Sequence, residues 1–426
     1  MCSCLTRLEA LSLFKKLVSL GEAKQIIAKS FSPKPVGKES VPLEHAYNRI
    51  LAEDVIAPLD VPPFNRSTVD GYAVKAEDTF GADEERPITL KLCGQVRVGE
   101  PPKVSIEKGT TAGIVTGAPL PEGADAVVMF EDTIQKENIV SICTSVSKGE
   151  NVMEAGSDIH KGEIALRKGQ MLASYEIGVL AALGVTNARV YKRPMVAILS
   201  TGAEVVEPGR PLSKGKIYDI NAHALSAAVT ECGGEAINLG IVEDESRKME
   251  STFKEALNIA DLIVTSGGVS VGPTDIIPEV LDTLGKPGVI VYGIAIKPGK
   301  PTTVAVINGK PVFSLPGHPT SALLIFQLLV RPVIASMAGR PSEEPRTVKA
   351  VIATRIFAAR GRRTFVTVHL TSDKAGGFVA SPVPLGLSGA ITTLSKADGF
   401  IEIHENQQFI DAGEEVTVHL LKPKLY

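Results

Sequence analysis

The spacing of apolar residues changes along the chain, and each spacing predicts a different kind of element. Helical spacing runs from Leu8 to Lys29. From about Pro42 to Val146, short apolar runs alternate with turn residues, which predicts a small β-rich region. From "RPMVAILSTGAEVV" onwards, nearly continuous apolar strands alternate with helical patterns, as in a doubly wound parallel sheet. After the Pro-rich stretch Gly339 to Pro345, runs such as "FVTVHL" predict an all-β region.

Composition narrows the classes of function. A formal net charge of -3 argues against a dedicated nucleic-acid binder, and the lack of Trp argues against aromatic stacking platforms. We expect no membrane partner, because no apolar run approaches the roughly 20 residues that span a bilayer. Five cysteines are few for a chain of this length, and three of them, Cys93, Cys143 and Cys232, are scattered, which fits a reducing cytoplasm. The C-x-C of Cys2 and Cys4 fits either a frayed terminus or a metal or redox role.

Three glycine-bearing loops follow predicted strands of the α/β region: "STGAE", "TSGGVSVGPTD" and "LPGHPTSA". Ligands of parallel α/β sheets bind outside the carboxyl ends of the strands, where these loops are expected to meet. Glycine lets backbone N–H groups approach an anion, and Ser or Thr adds a donor. Each loop alone could be a tight turn, but three together favour an anionic ligand. None of them is a Walker A or dinucleotide-binding fingerprint.

Charged residues lie next to these loops. Glu204, Asp244 and Asp275 are acids that could hold Mg²⁺ beside a phosphate. The same pattern fits solvated acids and, for Asp275, a helix N-cap. Lys297 and Lys300 flank a Pro-Gly turn, where they could neutralise an oxyanion or simply face solvent.

Two further polar loops lie in the β-rich region. The segment "VPPFNRSTVDGYAVKAED" contains Asp70, and "IVTGAPLPEGADAVV" contains Thr116. Polar loops between apolar runs often carry function, although either could be a long turn.

Several of these strings resemble those of the molybdopterin molybdenumtransferase family, whose members put molybdenum or tungsten into the pterin dithiolene cofactor. The E domain of gephyrin has the same fold. The matching strings occur in order from about Pro42 to Gly339: "PPFNRSTVDGYAV", "IVTGAPLPEGADAVVMFED", "AGSDIHKGE", "LSTGAEVVEPG", "TSGGVSVGPTD", "IAIKPGKP" and "LPGHPTSALLIF". The tail "GLSGAITTLSKADGFIEI" also resembles the family's last domain.

The resemblance implies a fold and an assembly. It implies a doubly wound α/β domain with a β-rich inserted domain, an extended N-terminal domain and a C-terminal β-barrel-like domain. We place the extended domain at residues 1–45 and 152–192, the insertion at 46–151, the α/β domain at 193–340 and the barrel at 341–426. It also implies a cytoplasmic homodimer whose cleft is completed by the partner's β-rich domain, and possible contact with the molybdopterin adenylyltransferase.

The resemblance also implies a reaction. The substrate would be adenylylated molybdopterin, which receives molybdate or tungstate with Mg²⁺-assisted pyrophosphate cleavage and release of AMP. An adenylyltransferase-like enzyme and a non-catalytic scaffold of the same fold are the alternatives. The residues that fall on family positions used for activity are Asp70, Thr116, Asp158, Glu204, Asp244, Asp275 and Lys297. Among them, the metal ligands would be Glu204, Asp244 and Asp275. Those that fall on ligand-binding positions are Ser266, Gly267, Gly268, Ser270, Lys300, Pro316, Gly317, Ser321 and Ser388.

The chain departs from the family pattern at a few positions. Many relatives carry a basic residue where this chain has Gly293, and "GNP" where it has Gly317-His318-Pro319. Asn65-Arg66 replaces a more usual pair that contains Asp.

Overall fold

The computed structural model describes residues 17–269, 276–342, 344–372, 376–383 and 392–421. The chain forms two compact units, one of residues 40–190 and the other of the chain before and after it. The domain boundaries given above are finer than this division and stay predictions.

The N-terminal helix α1 (Leu20–Ser30) begins at a capping box. The amide of Glu22 donates to Ser19 Oγ (3.2 Å), and the amide of Ser19 donates to Glu22 Oε2 (2.8 Å). The helix buries Leu20, Ala23 and Ile27 in the core of the α/β part of the chain. These three residues follow the predicted helical spacing. The prediction that this spacing begins a helix at Leu8 is wrong at Leu17 to Ser19, because Val18 forms a β-bridge with Ile294 and Ser19 is the N-cap. Residues 8–16 lie outside the described residues.

The unit of residues 40–190 is mostly β-structure, entered through β1 (Lys38–Pro42). Its further strands are β2 (Val55–Ile56), β3 (Arg66–Ser67), β4 (Gly71–Val74), β5 (Ile88–Val96), β6 (Thr110–Ile114), β7 (Ala126–Met129), β8 (Thr133–Lys136), β9 (Ile139–Ile142), β10 (Val152–Met153), β11 (Ile164–Leu166) and β12 (Asn187–Tyr191). Helix α2 spans Ser174–Ala182, and 3₁₀ turns span Leu43–His45, Ala76–Thr79 and Phe130–Asp132.

Strands β4 to β9 form one six-stranded sheet in the order β7-β4-β6-β5-β9-β8. Only the β5–β6 pair is parallel. The remaining strands pair two by two, as β1 with β12, β2 with β11 and β3 with β10. The sequence predicted the β-rich character of this unit, which is confirmed.

The next part of the chain alternates strands and helices. Its elements are β13 (Met195–Thr201), β14 (Val205–Val206), β15 (Ile217–Tyr218), α3 (Asn221–Glu231), β16 (Glu235–Val242), α4 (Ser246–Ile259), β17 (Leu262–Ser266), α5 (Ile277–Leu284), β18 (Pro287–Tyr292), β19 (Ile296–Lys297), β20 (Thr303–Ile307), β21 (Lys310–Leu315), α6 (Pro319–Ile325), a π-helical turn (Phe326–Val330) and α7 (Arg331–Met337).

A six-stranded sheet with the order β16-β13-β17-β21-β20-β18 forms the centre of this part. Strands β16, β13, β17 and β21 are parallel, and β20 is antiparallel to both of its neighbours. Both faces are buried, which is why the strands read as continuous apolar runs. One face packs against α1, α3 and the helical stretch from α6 to α7, and the other packs against α4 and α5. The predicted doubly wound domain is confirmed.

The stretch Pro319–Met337 is long and apolar enough, by length and composition, to cross a membrane. It has 19 residues and a mean hydropathy of 1.6, so the sequence-based expectation of no such segment does not hold for this helix. In the fold, 61% of this apolar stretch is buried, and Phe326 and Ile334 are part of the core. Its apolar character is therefore explained by packing against the sheet.

The C-terminal part is a small barrel. Its elements are β22 (Thr347–Ile352), β23 (Ile356–Phe357), β24 (Arg363–Ser372), β25 (Phe378–Pro382), α8 (Thr392–Lys396), β26 (Gly399–Ile403), β27 (Phe409–Ile410) and β28 (Glu415–Leu420). Five strands follow each other as β24-β25-β22-β28-β26, and β24 also pairs with β26, which closes the barrel. The predicted barrel-like domain is confirmed. Strand β19 extends the sheet by pairing in parallel with β24.

Candidate functional site

The loops after β13, β17 and β21 leave one edge of the central sheet. Ser200 pairs with Ser266, and Ser266 pairs with Leu315, so the three strands end side by side. The expectation that the glycine loops meet at one edge is thereby confirmed. A fourth segment joins them: β20 is antiparallel to β21 and begins with Thr303 opposite Ser314. The Pro-Gly-Lys turn that precedes β20 therefore lies at the same edge.

Glycine is required where these loops touch. Gly267 and Gly268 have φ of +89° and +64°, a backbone region that L side chains rarely adopt. A Cβ on Gly267 would overlap the carbonyl oxygen of Thr201, and a Cβ on Gly268 would lie 2.6 Å from Thr201 Oγ1. The amide of Gly267 donates to the carbonyl oxygen of Leu315 (3.1 Å). Side chains at these two positions would force the loops after β13 and β17 apart.

Asn221 connects two of the loops. Its Nδ2 donates to Ser266 Oγ (2.6 Å) and to the carbonyl oxygen of Gly317 (2.7 Å). The residue begins α3 and is only 8% exposed. Asp219 fixes the start of that helix by accepting a hydrogen bond from the amide of Ala222 (3.0 Å). Asn221 thus holds the Gly-Gly loop and the Pro-Gly loop together.

The sequence analysis did not single out Asn221. A usable signal was present: a polar, non-basic residue opens the helix that follows the loop after β13, in "IYDINAHAL". Such a position lies at the carboxyl edge of a parallel sheet, where binding residues are expected. Without the structure, however, Asn221 is indistinguishable from a helix-capping residue.

Buried polar atoms without a hydrogen-bond partner accumulate at this edge. Within the described residues they include Ser200 Oγ, Thr201 Oγ1, Asn221 Oδ1, Thr265 Oγ1 and Ser314 Oγ. Four of these residues are in the last two positions of β13, β17 and β21, and the fifth is Asn221. An unpaired buried polar group costs about 1–3 kcal/mol. A bound ligand or water is the ordinary explanation for such a concentration.

Two acids lie beside the loops. Glu204 follows β13 and Asp244 follows β16, and these strands are neighbours in the sheet. Loss of hydration raises the pKa of Asp244 above its ordinary value, and the negative charge of Glu204 raises it further. Glu204 and Asp244 are both exposed, so Asp244 loses hydration to neighbouring protein atoms without being fully buried. Two mutually repelling carboxylates fit the chemistry of a divalent-cation site.

The other residues predicted for this edge are distributed as follows. Lys297 is exposed and ends β19, whereas Lys300 is half-buried. Pro316 and Ser321 are buried, and Gly317 and His318 are exposed. Ser270, Asp275 and Ser388 lie outside the described residues, as do Cys2 and Cys4. In the part of the chain that is described, no group of three or more His, Cys, Asp or Glu side chains is arranged to hold a metal.

The departure at Gly293 has a local explanation. This glycine has φ of +75°, and a Cβ there would lie 2.7 Å from Leu17 Cδ2. The next residue, Ile294, forms a parallel bridge with Val18, and the amide of Ala295 donates to the carbonyl oxygen of Val18 (2.7 Å). The N-terminal segment therefore occupies the space that a basic side chain at position 293 would need.

Asp70, Thr116 and Asp158 belong to the unit of residues 40–190. Asp70 Oδ1 accepts hydrogen bonds from the amide (2.7 Å) and the hydroxyl (2.9 Å) of Thr116. The backbone bond, followed by the hydroxyl bond, lowers the pKa of Asp70 below its ordinary value. Asp158 is exposed, and its amide donates to the carbonyl oxygen of Val61 (3.0 Å). Asp70 and Thr116 form a pair, which Asp158 does not join by a hydrogen bond.

Removing the Thr116 hydroxyl should raise the pKa of Asp70. Because the folded pKa is lower than the unfolded one, the pair adds stability above about pH 4 and loses it as pH falls through the folded pKa. We expect Thr116→Val to move the Asp70 pKa towards its ordinary value, while Thr116→Ser keeps it low. Carboxyl-detected NMR titration of Asp70 in the three proteins measures this. Equal pKa values in the valine and serine variants would contradict the role of the hydroxyl.

Family models match most of the chain. The model described as "MoeA N-terminal region (domain I and II)" matches residues 18–184. The "Probable molybdopterin binding domain" matches residues 197–336, which include the sheet edge described above. The "MoeA C-terminal region (domain IV)" matches residues 349–421.

Similar proteins cover nearly the whole chain. A molybdopterin molybdenumtransferase of Haemophilus influenzae is 34% identical over 395 residues, covering 91% of this chain and 96% of its own. One from a Nostoc species is 36% identical over 391 residues, covering 89% and 88%. A crystal structure of a molybdopterin biosynthesis moea protein from Pyrococcus horikoshii is 44% identical, with a TM-score of 0.84 and coverage of 96% and 100%. With three domain models in order and relatives matched over 88% to 96% of their length, the chain belongs to the molybdopterin molybdenumtransferase family of molybdenum cofactor biosynthesis enzymes.

Proposed function

We propose that this chain transfers molybdenum, or tungsten, from its oxyanion to the dithiolene of adenylylated molybdopterin, with cleavage of the pyrophosphate and release of AMP. The observation that carries the proposal is the sheet edge at which three glycine loops, Asn221 and a lysine turn meet around unpaired buried hydroxyls. Hydroxyls, backbone amides and lysines are the groups that bind phosphates and oxyanions.

The residues of this edge are proposed to bind and orient the two substrates. The Gly-Gly loop, with Ser266, Gly267, Gly268 and Ser270, would hold the pterin nucleotide. The loop that contains Pro316 and Gly317, with Ser321 behind it, would form the other wall of the same site. Cleavage of a phosphoanhydride depends on positioning and charge neutralisation more than on a strong nucleophile.

The lysine turn is proposed to bind the oxyanion. Lys297 and Lys300 flank a turn that leaves the sheet edge beside β21, and their positive charges would attract molybdate or tungstate. Ser388 is proposed to contribute from the C-terminal part. The Leu17 contact at Gly293 means that a third basic group at that position is not part of the site in this chain.

Mg²⁺ is proposed to be held by Glu204 and Asp244, with Asp275 as a third ligand. The pKa of Asp244 is raised by dehydration and by the negative charge of Glu204, as expected of two carboxylates close enough to share a cation that would relieve their repulsion. When bound, Mg²⁺ would neutralise negative charge that develops on the pyrophosphate.

The protein is proposed to work as a cytoplasmic homodimer. Asp70, Thr116 and Asp158 would complete the site from the β-rich domain of the partner, with the hydrogen bonds from Thr116 orienting the carboxylate of Asp70 and lowering its pKa. A contact with the molybdopterin adenylyltransferase is proposed to deliver the adenylylated substrate.

Release of AMP from adenylylated molybdopterin tests the function. With purified protein and Mg²⁺, we expect AMP only when molybdate or tungstate is added, and the more effective oxyanion identifies the metal. Release that does not need an oxyanion, or no release from folded dimer, would refute the proposal. If the protein does not release AMP but instead adenylylates molybdopterin with ATP, it is an adenylyltransferase.

The same assay tests Asp244. Asp244→Asn removes a charge beside the bound cation, an interaction of about 4 kcal/mol for two unit charges about 4 Å apart at an effective dielectric of about 20. Because Asp244 is exposed, solvent screens much of this. We expect a remaining effect of roughly 1.4 kcal/mol or more, which raises the Mg²⁺ requirement at least about tenfold. Glu243→Gln is the matched control, because it removes a neighbouring charge that pairs with Lys248 (2.7 Å) instead. An equal Mg²⁺ requirement in both variants would rule out Asp244 as a ligand.

A further inference from the structure

The sheet of β4 to β9 curls around a cavity that is lined entirely by residues of the 40–190 unit. Strands β7 and β8 are at opposite ends of the strand order, yet only the short turn Phe130–Asp132 connects them. The sheet is therefore bent towards closure. The hydroxyl of Tyr72 in β4 reaches across to Gln135 Oε1 in β8 (2.6 Å). The mouth of this curl holds a cavity of about 340 Å³.

A missing side chain creates much of the cavity. Gly113 in β6 lies opposite Tyr72 of β4 on one side and opposite Gln95 of β5 on the other. Residues paired across neighbouring strands face the same side of a sheet, so the glycine leaves a gap between a phenol ring and an amide. A Cβ on Gly113 would meet Gln95 Cγ at 3.3 Å, and its φ lies outside the left-handed region. The backbone conformation at position 113 therefore does not require glycine.

The lining is neutral and partly aromatic. The rings of Tyr72 and Phe130 meet edge to face with centroids 5.0 Å apart, and Phe130 is 41% exposed. Gln135 is occupied, since it accepts from Tyr72 and donates to the carbonyl oxygen of Glu137 (3.0 Å). The exposed amide of Gln95 makes no hydrogen bond to a described residue, so it can both donate to and accept from a ligand. None of the residues that line the cavity carries a charge.

We propose that this cavity binds a neutral, planar heterocycle of about the size of a nucleobase. The volume lies at the lower end of the range for small-molecule sites, and the mouths of β-barrels are common places for them. The aromatic pair offers a ring for contact with a flat π-system, and Gln95 offers a hydrogen-bond donor and acceptor for its edge. A charged ligand would lose its hydration without gaining a counter-ion.

The site is built on the strands that also position Asp70 and Thr116. Tyr72 is two residues after Asp70, and Gly113 is three residues before Thr116. The amide of Phe130 donates to the carbonyl oxygen of Asp70 (3.2 Å). A ligand that contacts Tyr72 and Phe130 therefore contacts the two segments that hold Asp70 in place. This inference does not rest on the proposed function.

Binding of small probes to the full chain tests the proposal. By ligand-observed NMR and calorimetry, we expect adenine to bind with a Kd on the order of 1 mM, as for a fragment of its size. Cyclohexanol, which is neutral but not planar, and benzoate, which is planar but charged, should bind much more weakly. No binding of adenine, or equal binding of all three probes, would overturn the proposal.

Variants at Gly113 locate the bound probe. Gly113→Leu fills the gap and should weaken adenine binding at least about tenfold, whereas Gly113→Ala adds one methyl and should change it much less. Phe130→Ala removes one ring of the aromatic pair and provides a second test if the leucine variant fails to fold. Full adenine binding in folded Gly113→Leu or in Phe130→Ala would place the probe elsewhere and refute the site.

Discussion

Gly267→Ala is expected to abolish AMP release and to lower the free energy of unfolding by about 2–4 kcal/mol. The added Cβ would overlap the carbonyl oxygen of Thr201 and would lie 3.0 Å from its hydroxyl, at a backbone φ of +89°. Because Gly267 also donates to Leu315, the loop cannot move away without losing a hydrogen bond that joins β17 to the end of β21. Urea unfolding and the AMP assay measure the two effects.

Gly209→Ala is the matched control for this experiment. Gly209 has nearly the same φ, +88°, but no heavy atom lies within 4 Å of its added Cβ. Its loss should be limited to the backbone strain of about 1–2 kcal/mol, and its activity should be kept. The difference between the two variants measures the close approach of the loops. If both lose equal stability and keep activity, close packing at Gly267 is not what the site requires.

Asn221→Asp is expected to lower kcat/KM by at least about 100-fold, which corresponds to roughly 2.7 kcal/mol. The substitution keeps the shape of the side chain but replaces the donor that faces the carbonyl oxygen of Gly317 (2.7 Å) with an acceptor. It also puts a negative charge, in a position only 8% exposed, beside a site proposed to bind phosphate. The lost donor weakens the link between the two loops, and the added negative charge repels an anionic ligand.

Asn238→Asp is the control for the chemical change itself. Asn238 is exposed, and its Oδ1 accepts from the amide of Gly240 (2.9 Å), which aspartate can also do. We expect this variant to retain activity and stability. Steady-state kinetics with the adenylylated substrate compare the two. Unchanged kcat/KM in Asn221→Asp would show that the bridge to Gly317 has no part in binding or catalysis.

The sequence predicted those features that depend on local patterns. The apolar runs that became β13, β17 and β21 are buried on both faces, so hydrophobicity alone identified them. Their parallel order then brought the three glycine loops to one edge. The alternating runs after residue 345 gave the barrel in the same way.

Features that depend on contacts between distant segments could not be predicted in this way. Asn221 matters because of Ser266, 45 residues away, and Gly317, 96 residues away. The pairing of Asp70 with Thr116 likewise spans 46 residues. The lack of a side chain at Gly293 is explained by its closeness to Leu17, which no local sequence pattern indicates. The family resemblance pointed to Asp70 and Thr116, but it did not give the reason for their pairing.

The pairing of β19 with β24 limits how this protein can be dissected. Ile296 and Lys297 form a ladder with Arg363 and Thr364, so the segment that leads into the lysine turn is hydrogen-bonded to the barrel. A fragment that ends near residue 340 would leave this short strand without its neighbour and would remove Phe365 from the core that it shares with Ile296. Ligand-binding studies on an isolated α/β fragment would therefore report on a loosened lysine turn, and the barrel has to be retained in any minimal version of the protein.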